Sequence, residues 1–340
     1  MKNRFVQIAL SLALLGLLIQ IVLVAPSQIR DAGTKASLLP APDVEEAITP
    51  KKNPPASGEV DQSMSGMHMI ETQEGQKEWE LWSDKAIGMK GKEEFELQNV
   101  KTVFFSESGV TFTVTGNKGH VLSKTKDMRI EGDVVTRSSN GYVFRTESME
   151  YQSQTRLLSA LNKVEMIGPK DVQGHALHLT GVGMKASLAS STVEILSDVK
   201  AQKGIDGGRN ALIRSQRSLF SGKDRTARFL GDVVLDMDAM RITGPEASFV
   251  YDSKKDVVRT VEFNGGARVS DAEKWATSQN LKVDFESNKF IFRGNPRVVQ
   301  NNDELRGEEI VFLDGGKQVE VKRARATVDD KRLKAPEKKQ

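Results

Sequence analysis

Two histidines lie close together in the sequence and are the first candidates for metal binding. His175 and His178 are three residues apart in a segment that we expect to be a strand. Because side chains alternate between the two faces of a strand, this odd spacing places the two imidazoles on opposite faces. His120 is isolated in the sequence. The spacing therefore favours surface or turn histidines over a shared zinc site.

A second group of possible metal ligands is formed by Met64, Met67, His68 and Met69. Thioether and imidazole ligands are suited to copper. The group lies beside a proline-rich stretch that shows no apolar periodicity. We therefore interpret these methionines as chance members of a linker and expect no metal site.

The sequence lacks the motifs of the common nucleophilic and nucleotide-dependent enzymes. The absence of cysteine excludes a disulfide framework, a thiolate metal site and a cysteine nucleophile. Neither a Gly-x-x-x-x-Gly-Lys-Ser/Thr phosphate loop nor a Gly-x-Ser-x-Gly elbow in a strand-to-helix setting is present. The acidic pairs at 93–94 and 308–309 alternate faces on a strand, so we expect them to be solvated. We predict a protein that is not an enzyme and has no catalytic residues, cofactor or metal.

The charge balance excludes a strong nucleic-acid footprint. The 340 residues include 49 lysines and arginines and 46 aspartates and glutamates, which gives a net charge of +3. A nucleic-acid-binding domain has a clear basic excess. Since 38% of the residues are hydrophobic, we expect most of the chain to fold, as about two domains or as one repeat array.

The first 25 residues have the pattern of a transmembrane anchor. Residues 5–25 carry no charge, and as a helix they would span about 31 Å, close to the hydrocarbon thickness of a bilayer. The alternative is a cleaved signal peptide, but the apolar run is longer than a signal core and Pro26 follows it directly. Lys2 and Arg4 favour a cytoplasmic N-terminus, with the bulk of the chain outside the cytoplasm.

Residues 26–75 are predicted to be a disordered, proline-rich linker. Six of the ten prolines fall within this stretch. A segment of this composition holds a domain at a distance from the membrane.

The sequence after residue 75 alternates between apolar and polar residues with a period of two. Examples are residues 110–114 (VTFTV) and 281–285 (LKVDF), and clusters of Gly, Asn, Asp and Ser separate such runs. This pattern predicts many short antiparallel strands joined by tight turns. The fold class that it indicates is all-β.

An internal repeat accompanies the alternation. Dipeptides that begin at residues 99, 133, 163, 198, 232, 266 and 295 recur at intervals of 34, 30, 35, 34, 34 and 29 residues. The clearest copies are 130–134 (IEGDV), 229–233 (FLGDV) and 292–296 (FRGNP). We expect each unit to contain two or three short strands, and stacked units to form a sheet with one continuous apolar face. That face would either be a sealed core between two sheets or line an open seam that holds a lipid.

The repeat resembles the OstA-like domain of lipopolysaccharide transport proteins, and two members of that family are arranged in tandem. Residues 1–203 resemble LptC through the anchor, 78–86 (EWELWSDKA), 97–100 (LQNV) and 130–134 (IEGDV). Residues 209–328 resemble LptA through 213–215 (IRS), 229–233 (FLGDV), 242–247 (ITGPEA) and 292–295 (FRGN). A glycine-rich joint at 204–208 connects the modules, which occupy 76–203 and 209–328, and 329–340 forms a basic tail.

The resemblance implies a fold, a function and a set of partners. The fold would be tandem antiparallel β-jellyroll modules, described as an open β-taco, preceded by one transmembrane helix. The function would be a periplasmic bridge that takes lipopolysaccharide from an inner-membrane ABC transporter toward the outer membrane, with acyl chains in an apolar groove. The partners would be lipopolysaccharide, the transporter subunits, and a further bridge protein or outer-membrane translocon at the C-terminal edge. The predicted localisation is the inner membrane, single-pass, with most of the chain in the periplasm.

The residues predicted to bind lipid are the large apolar side chains that share the inward face. They are Leu97, Val100, Phe112, Ile130, Val134, Phe144, Met149, Val164, Leu177, Ile195, Phe229, Val233, Ile242, Phe249, Phe263, Val283, Phe285, Phe292 and Phe312.

Edge-to-edge strand pairing is the second predicted interaction. In this interpretation residues 79–85 face the transporter and residues 304–328 offer the outgoing edge. Residues 322–340 carry eight basic and three acidic side chains, which indicates a solvated tail or a contact with anionic lipid or a partner.

Two other functions remain possible at this point. A closed β stalk could act as a scaffold for an envelope complex. An enzyme of envelope polysaccharide would need a convergent set of ionisable residues, and the sequence contains none that we recognise.

Overall fold

The computed structural model describes residues 60–327 apart from 90, 92, 171–173, 206–208, 238, 252–257, 272–273, 285, 288, 301–302 and 314–317. Within these residues the chain is entirely antiparallel β-structure without a helix, which confirms the all-β prediction. None of them forms a helix with the length and apolar character needed to cross a bilayer. The predicted anchor, residues 26–59 of the predicted linker and the tail at 329–340 lie outside the described residues.

The strands are long. The first nine are β1 (Val60–Gln73), β2 (Gln76–Met89), β3 (Glu94–Phe105), β4 (Thr111–Leu122), β5 (Met128–Ser138), β6 (Val143–Gln152), β7 (Leu157–Ile167), β8 (Leu177–Ser187) and β9 (Thr192–Ile205). The others are β10 (Arg209–Ser215), β11 (Arg217–Ser221), β12 (Thr226–Met237), β13 (Met240–Tyr251), β14 (Val258–Asp271), β15 (Lys274–Asp284), β16 (Lys289–Arg293), β17 (Arg297–Gln300), β18 (Asp303–Arg306), β19 (Glu309–Leu313), β20 (Gln318–Lys322) and β21 (Arg325–Thr327).

All of these strands belong to one sheet that winds as a continuous meander. Each strand from β2 to β8 pairs with the strand before it and the strand after it. The pairs β10–β11, β16–β17, β18–β19 and β20–β21 are the two halves of strands that are interrupted near the middle. The ladder continues across the predicted joint, because Arg209 pairs with Ile205 and Ser215 with Val199.

The first residue of the repeated dipeptide, together with the residue before it, forms a corner in the middle of a strand. Gly132 and Asp133 have φ values of 78° and 50°, and Gly231 and Asp232 have φ values of 78° and 47°. The strand register shifts at both places. Glycine has no Cβ, and Asp and Asn tolerate the left-handed region better than other residues do. The sequence therefore places a bend where the backbone conformation is least costly.

Polar side chains connect the corners of adjacent strands. Asn117 Nδ2 donates a hydrogen bond to Asp133 Oδ2 at 3.3 Å, and Gln216 Nε2 donates to Asp232 Oδ2 at 2.8 Å. These bonds satisfy part of the polar capacity at a point where the ladder is disrupted.

The bends fold the sheet into two facing walls. In a meander, the turns after odd-numbered strands lie at one end and the turns after even-numbered strands at the other. Nevertheless, the amide of Glu107, after β3, donates to the carbonyl of Leu188, after β8, at 3.3 Å. Phe104 of β3 likewise packs on Tyr151 of β6, with ring centroids 4.6 Å apart. We name the half of the sheet with the turns after β1, β3, β5, β7, β9, β12, β14 and β17 wall A, and the half with the other turns wall B.

Three expectations are corrected by these elements. The linker predicted to reach residue 75 ends earlier, since β1 occupies Val60–Gln73 and pairs with β2 along its length. The strands are not short, because the mid-strand bend lets one strand of up to 14 residues serve both walls. Residues 79–85 are not an edge, because they lie in β2, which pairs with both β1 and β3.

Candidate binding groove

The alternating side chains of both walls point into the space between them. In β5 the buried residues are Met128 and Ile130 before the corner and Val134, Thr136 and Ser138 after it. Residues at even-numbered positions of β5 therefore point inward both before and after the corner. The uninterrupted strands from β2 to β15 each contribute apolar groups to both walls, and the result is one apolar interior.

Most of the predicted lipid-binding residues lie in this interior, within one contiguous apolar cluster. The buried members are Leu97, Val100, Ile130, Val134, Phe144, Met149, Val164, Ile195, Phe229, Val233, Ile242, Phe249, Phe263, Val283 and Phe292. Phe112, Leu177 and Phe312 are partly buried and pack against the cluster. Phe285 lies outside the described residues.

The mouth between the walls is closed in the first half by a group of ionic contacts that we name the clasp, formed by Glu78, Glu107 and Arg156. Arg156 lies 3.1 Å from the carboxylates of both Glu78 and Glu107. Its guanidinium also donates to the carbonyl of Phe105 at 3.0 Å. Since Arg156 belongs to wall B and its three partners belong to wall A, the clasp joins the two walls.

The clasp lies over a region of low polarity. Burial raises the pKa of Tyr151 to about 12, with a smaller contribution from the nearby carboxylate of Glu78. Behind it, Trp79 and Phe104 are fully buried. In this half the side chains of the two walls are therefore packed against each other.

Beyond the contact between Glu107 and Leu188 the walls separate and enclose a cavity of about 270 Å³. Wall A lines this cavity with Phe112, Phe144 and Leu177, and wall B lines it with Phe220.

A deeper cavity of about 90 Å³ adjoins the first one and shares Leu177 and Phe220 with it. Phe229 and Phe249 form its wall-B side, and the buried Lys203 lies on wall A. Both cavities lie where β9 and β10 join the two halves of the chain.

The rim of the larger cavity is polar, in contrast to its floor. Hydroxyl and amide groups from the turns of both walls surround the opening, namely Ser106, Ser108, Ser138, Asn140, Ser187 and Ser191, and Arg225 lies beside them. An apolar floor with a hydroxyl-rich rim is suited to an amphipathic ligand whose polar part stays at the surface.

Five of the predicted residues line the open cavities, namely Phe112, Phe144, Leu177, Phe229 and Phe249. The other described ones are packed within the cluster. Sequence reasoning missed Tyr142, Ile213 and Phe220, which also line the cavities. Phe220 was missed because the break between β10 and β11 interrupts the alternation of apolar and polar residues from which inward positions were predicted.

Comparison with known families divides the chain at the same hairpin. The family described as "Lipopolysaccharide-assembly, LptC-related" matches residues 36–204, and the family described as "LptA/(LptD N-terminal domain) LPS transport protein" matches residues 212–318. The chain is an LptC-like module followed by an LptA-like module. The boundary between the two matches falls at the β9–β10 turn, so the central cavities lie at the junction of the two modules.

Comparison with solved structures finds LptH, described as the LptA homologous periplasmic component of the conserved lipopolysaccharide transport device from Pseudomonas aeruginosa. It is 16% identical, with a TM-score of 0.32, over 35% of this chain and 94% of its own. No curated protein matches the chain significantly.

Proposed function

We propose that this chain is a periplasmic bridge of lipopolysaccharide export that shelters acyl chains between its two walls. The observation that supports the proposal is a single apolar interior that continues from the LptC-like module into the LptA-like module without a break in the strand ladder. Both modules belong to families of lipopolysaccharide transport.

The physical reason for a groove is the cost of exposing acyl chains to water. Each buried CH₂ is worth about 0.8 kcal/mol, so one chain of roughly 12–14 carbons resists exposure by about 10 kcal/mol. An apolar groove removes most of this cost while sugars and phosphates stay at the rim. Transfer then needs only similar affinity along the path and a driving force from an ATP-hydrolysing partner.

The walls must separate for a lipid with several chains to enter. The central cavity of about 270 Å³ is smaller than the roughly 300–1,000 Å³ of ordinary small-ligand pockets. In the proposed cycle the lipid replaces contacts between the side chains of walls A and B. The central cavities, where the walls are already apart, are the place where this separation begins.

The placement of the bridge follows from the same proposal. Residues 1–25 would anchor the chain in the inner membrane, with the modules in the periplasm. Among the described residues β1 pairs only with β2, so β1 would meet the transporter. At the other end β20 pairs only with β19 and β21 only with β18, so these strands would meet a further bridge protein or the outer-membrane translocon.

Photocrosslinking in cells tests the proposal directly. A photoreactive amino acid replaces Phe144 in the LptC-like module or Phe249 in the LptA-like module, and adducts are detected with an antibody against lipopolysaccharide. The control position is Leu161, whose side chain is 72% exposed on the outside. We expect adducts at both inward positions and none at Leu161. Equal labelling at all three positions, or none at the inward pair, would refute lipid binding in the groove.

A sealed β stalk that acts as a scaffold is the second candidate, and the closed mouth of the first half favours it. The two functions differ at a packed position such as Ile130, which is 3% exposed. A groove that opens during transport gives a lipopolysaccharide adduct at this position, whereas a sealed stalk gives none.

A further inference from the structure

The outer face of wall A in the LptA-like module carries far more cations than anions. We name it the basic face and define it by Lys200, Arg214, Arg241, Arg268, Arg297, Arg306 and Arg325. Its carboxylates among the described residues are Asp236 and Glu304. The chain as a whole has a net charge of only +3, so the basic face concentrates charge that the rest of the molecule balances.

Strand register places these side chains in rows across the sheet. Arg297 pairs with Arg306, and Arg306 pairs with Arg325, so three arginines lie side by side on neighbouring strands. Toward the module junction the same row continues through Arg268 to Lys200. With strands about 4.8 Å apart, the row is about 40 Å long.

The fold does not require this arrangement. Like charges placed directly opposite each other on a sheet are destabilising. Glu304 offsets part of the repulsion through hydrogen bonds from Arg297, at 2.6 Å, and from Arg306. Lys200, Arg268 and Arg325 have no acidic partner among the described residues. The excess charge is therefore available to a ligand.

The outer face of wall B in the same module provides a contrast. There the cations lie opposite carboxylates, with Arg228 at 2.8 Å from Glu246 and Lys282 at 2.7 Å from Glu262. The two outer faces consist of the same strands, so their different charge does not arise from strand structure.

The geometry points to an anionic bilayer as the occupant: we propose that, while β20 and β21 hold no downstream partner, the LptA-like module docks on the phosphate-bearing surface of a membrane through the basic face. Guanidinium groups suit phosphates because their planar forks donate paired hydrogen bonds. Trp275 lies between Arg268 and Arg297, with its ring centroid 5.2 Å and 4.8 Å from their guanidinium carbons. Tryptophan beside cations is typical of side chains at the level of lipid headgroups.

Two features favour a bilayer over an acidic protein partner. Protein interfaces usually have an apolar centre, whereas the apolar side chains on this face, Leu212, Val234, Trp275 and Val299, lie singly or in a pair between charged residues. The strands at its centre, β12 to β15, are paired on both sides, so an added strand finds no free edge. A diffuse row of cations is suited to a surface whose charges are mobile, as lipids are.

The experiment uses the full chain reconstituted in proteoliposomes. Since the protein has no cysteine, Thr277→Cys introduces one labelling site on the basic face, and Ser248→Cys introduces one on the outer face of wall B. Each carries a fluorophore that is quenched by nitroxide headgroups in the same vesicles. The vesicles contain either phosphatidylcholine alone or phosphatidylcholine with about 30 mol% phosphatidylglycerol.

We expect strong quenching of the label at position 277 in anionic vesicles, and little quenching in neutral vesicles or at position 248. High salt should abolish it, because exposed charges are screened. Arg268→Glu combined with Arg325→Glu should reduce the quenching about tenfold or more. The matched control is Lys124→Glu combined with Lys163→Glu, which changes the net charge equally at exposed positions of the LptC-like module and should leave the quenching unchanged.

Several results would overturn the proposal. The proposal is wrong if the quenching is equal at positions 277 and 248, if it is independent of phosphatidylglycerol, or if it survives charge reversal on the basic face. If soluble polyglutamate or inorganic phosphate binds the face while anionic vesicles do not, the face recognises an acidic peptide or a free anion instead of a bilayer. Either result leaves lipid capture in the groove unaffected, since that is tested by the photocrosslinks.

Discussion

The clasp gives the sharpest test of how the two walls are held together. Arg156→Met keeps most of the apolar stem but removes the charge that lies 3.1 Å from Glu78. The Glu78 side chain is 7% exposed and the Arg156 side chain is 22% exposed, so the substitution leaves a carboxylate with little access to water. Breaking a fully buried pair costs about 3–5 kcal/mol and an exposed pair about 0–1 kcal/mol. For these exposures we expect a loss of about 2 kcal/mol in the free energy of unfolding.

A double-mutant cycle separates the two partners of Arg156. Glu107 is 62% exposed, so its coupling to Arg156 should be below about 0.5 kcal/mol, whereas the coupling of Glu78 should be about 1–2 kcal/mol. The assay is urea unfolding of the full chain with the single variants Arg156→Met, Glu78→Gln and Glu107→Gln and the corresponding doubles. Fluorescence of Trp79, which is fully buried in the same half, reports the transition in a background in which Trp82 and Trp275 are replaced by Phe. Equal coupling for the two glutamates, or none for Glu78, would refute the view that a buried ion pair closes the mouth.

Three further predictions concern the groove, the corners and a surface carboxylate. Phe249→Arg, in the wall of the deeper cavity, should abolish capture of lipopolysaccharide by purified protein, whereas Leu212→Arg on the outside, where the side chain is 43% exposed, should not; pull-down with the lipid measures both. Gly231→Val should lower the free energy of unfolding by about 1–3 kcal/mol, because φ is +78° and the new Cβ would lie 2.5 Å from Gln216. The control is Asp232→Asn, since asparagine also tolerates left-handed backbone. It should lower the free energy of unfolding by less than about 0.5 kcal/mol in the same urea assay. Hydrogen bonds from Arg297 and Arg306 lower the pKa of Glu304 from 4.5 to about 2. Its contribution to stability is therefore present above pH 4.5 and is lost as the pH falls toward 2. Glu304→Gln should flatten the dependence of unfolding free energy on pH in that window, and a dependence identical to wild type would contradict these ion pairs.

The corners illustrate what can be inferred from local sequence alone. The repeat was visible as dipeptides that recur about every 33 residues, and in the copies that begin at 133 and 232 the first residue lies in a left-handed bend. The bend depends on the conformational preferences of one or two residues and needs no distant contact, but the pattern was interpreted as turns between short strands. The length of the strands was not inferred correctly, because a bend in the middle of a strand resembles a turn between two short strands.

The edges of the sheet were harder to assign. Residues 60–73 were predicted to belong to the linker, because polar residues and methionines in β1 mask the alternation. Their strand conformation depends on pairing with β2, which supplies hydrogen bonds along the whole length. A first strand of weak apolar pattern is stabilised by its neighbour, and single-sequence reasoning does not see that neighbour.

By itself the amino-acid sequence determined the all-β class, the repeating unit, the inward set of apolar side chains and the resemblance to the LptC and LptA families. Each of these is encoded in alternation or in short motifs, which act over a few residues. Only the tertiary structure decided where the two walls touch and where they part. Arg156 and Glu107 are separated by 49 residues, and the central cavity combines turns from both modules. Such contacts depend on how the bends and twist of many strands add up, and that sum is not contained in any local stretch of the chain.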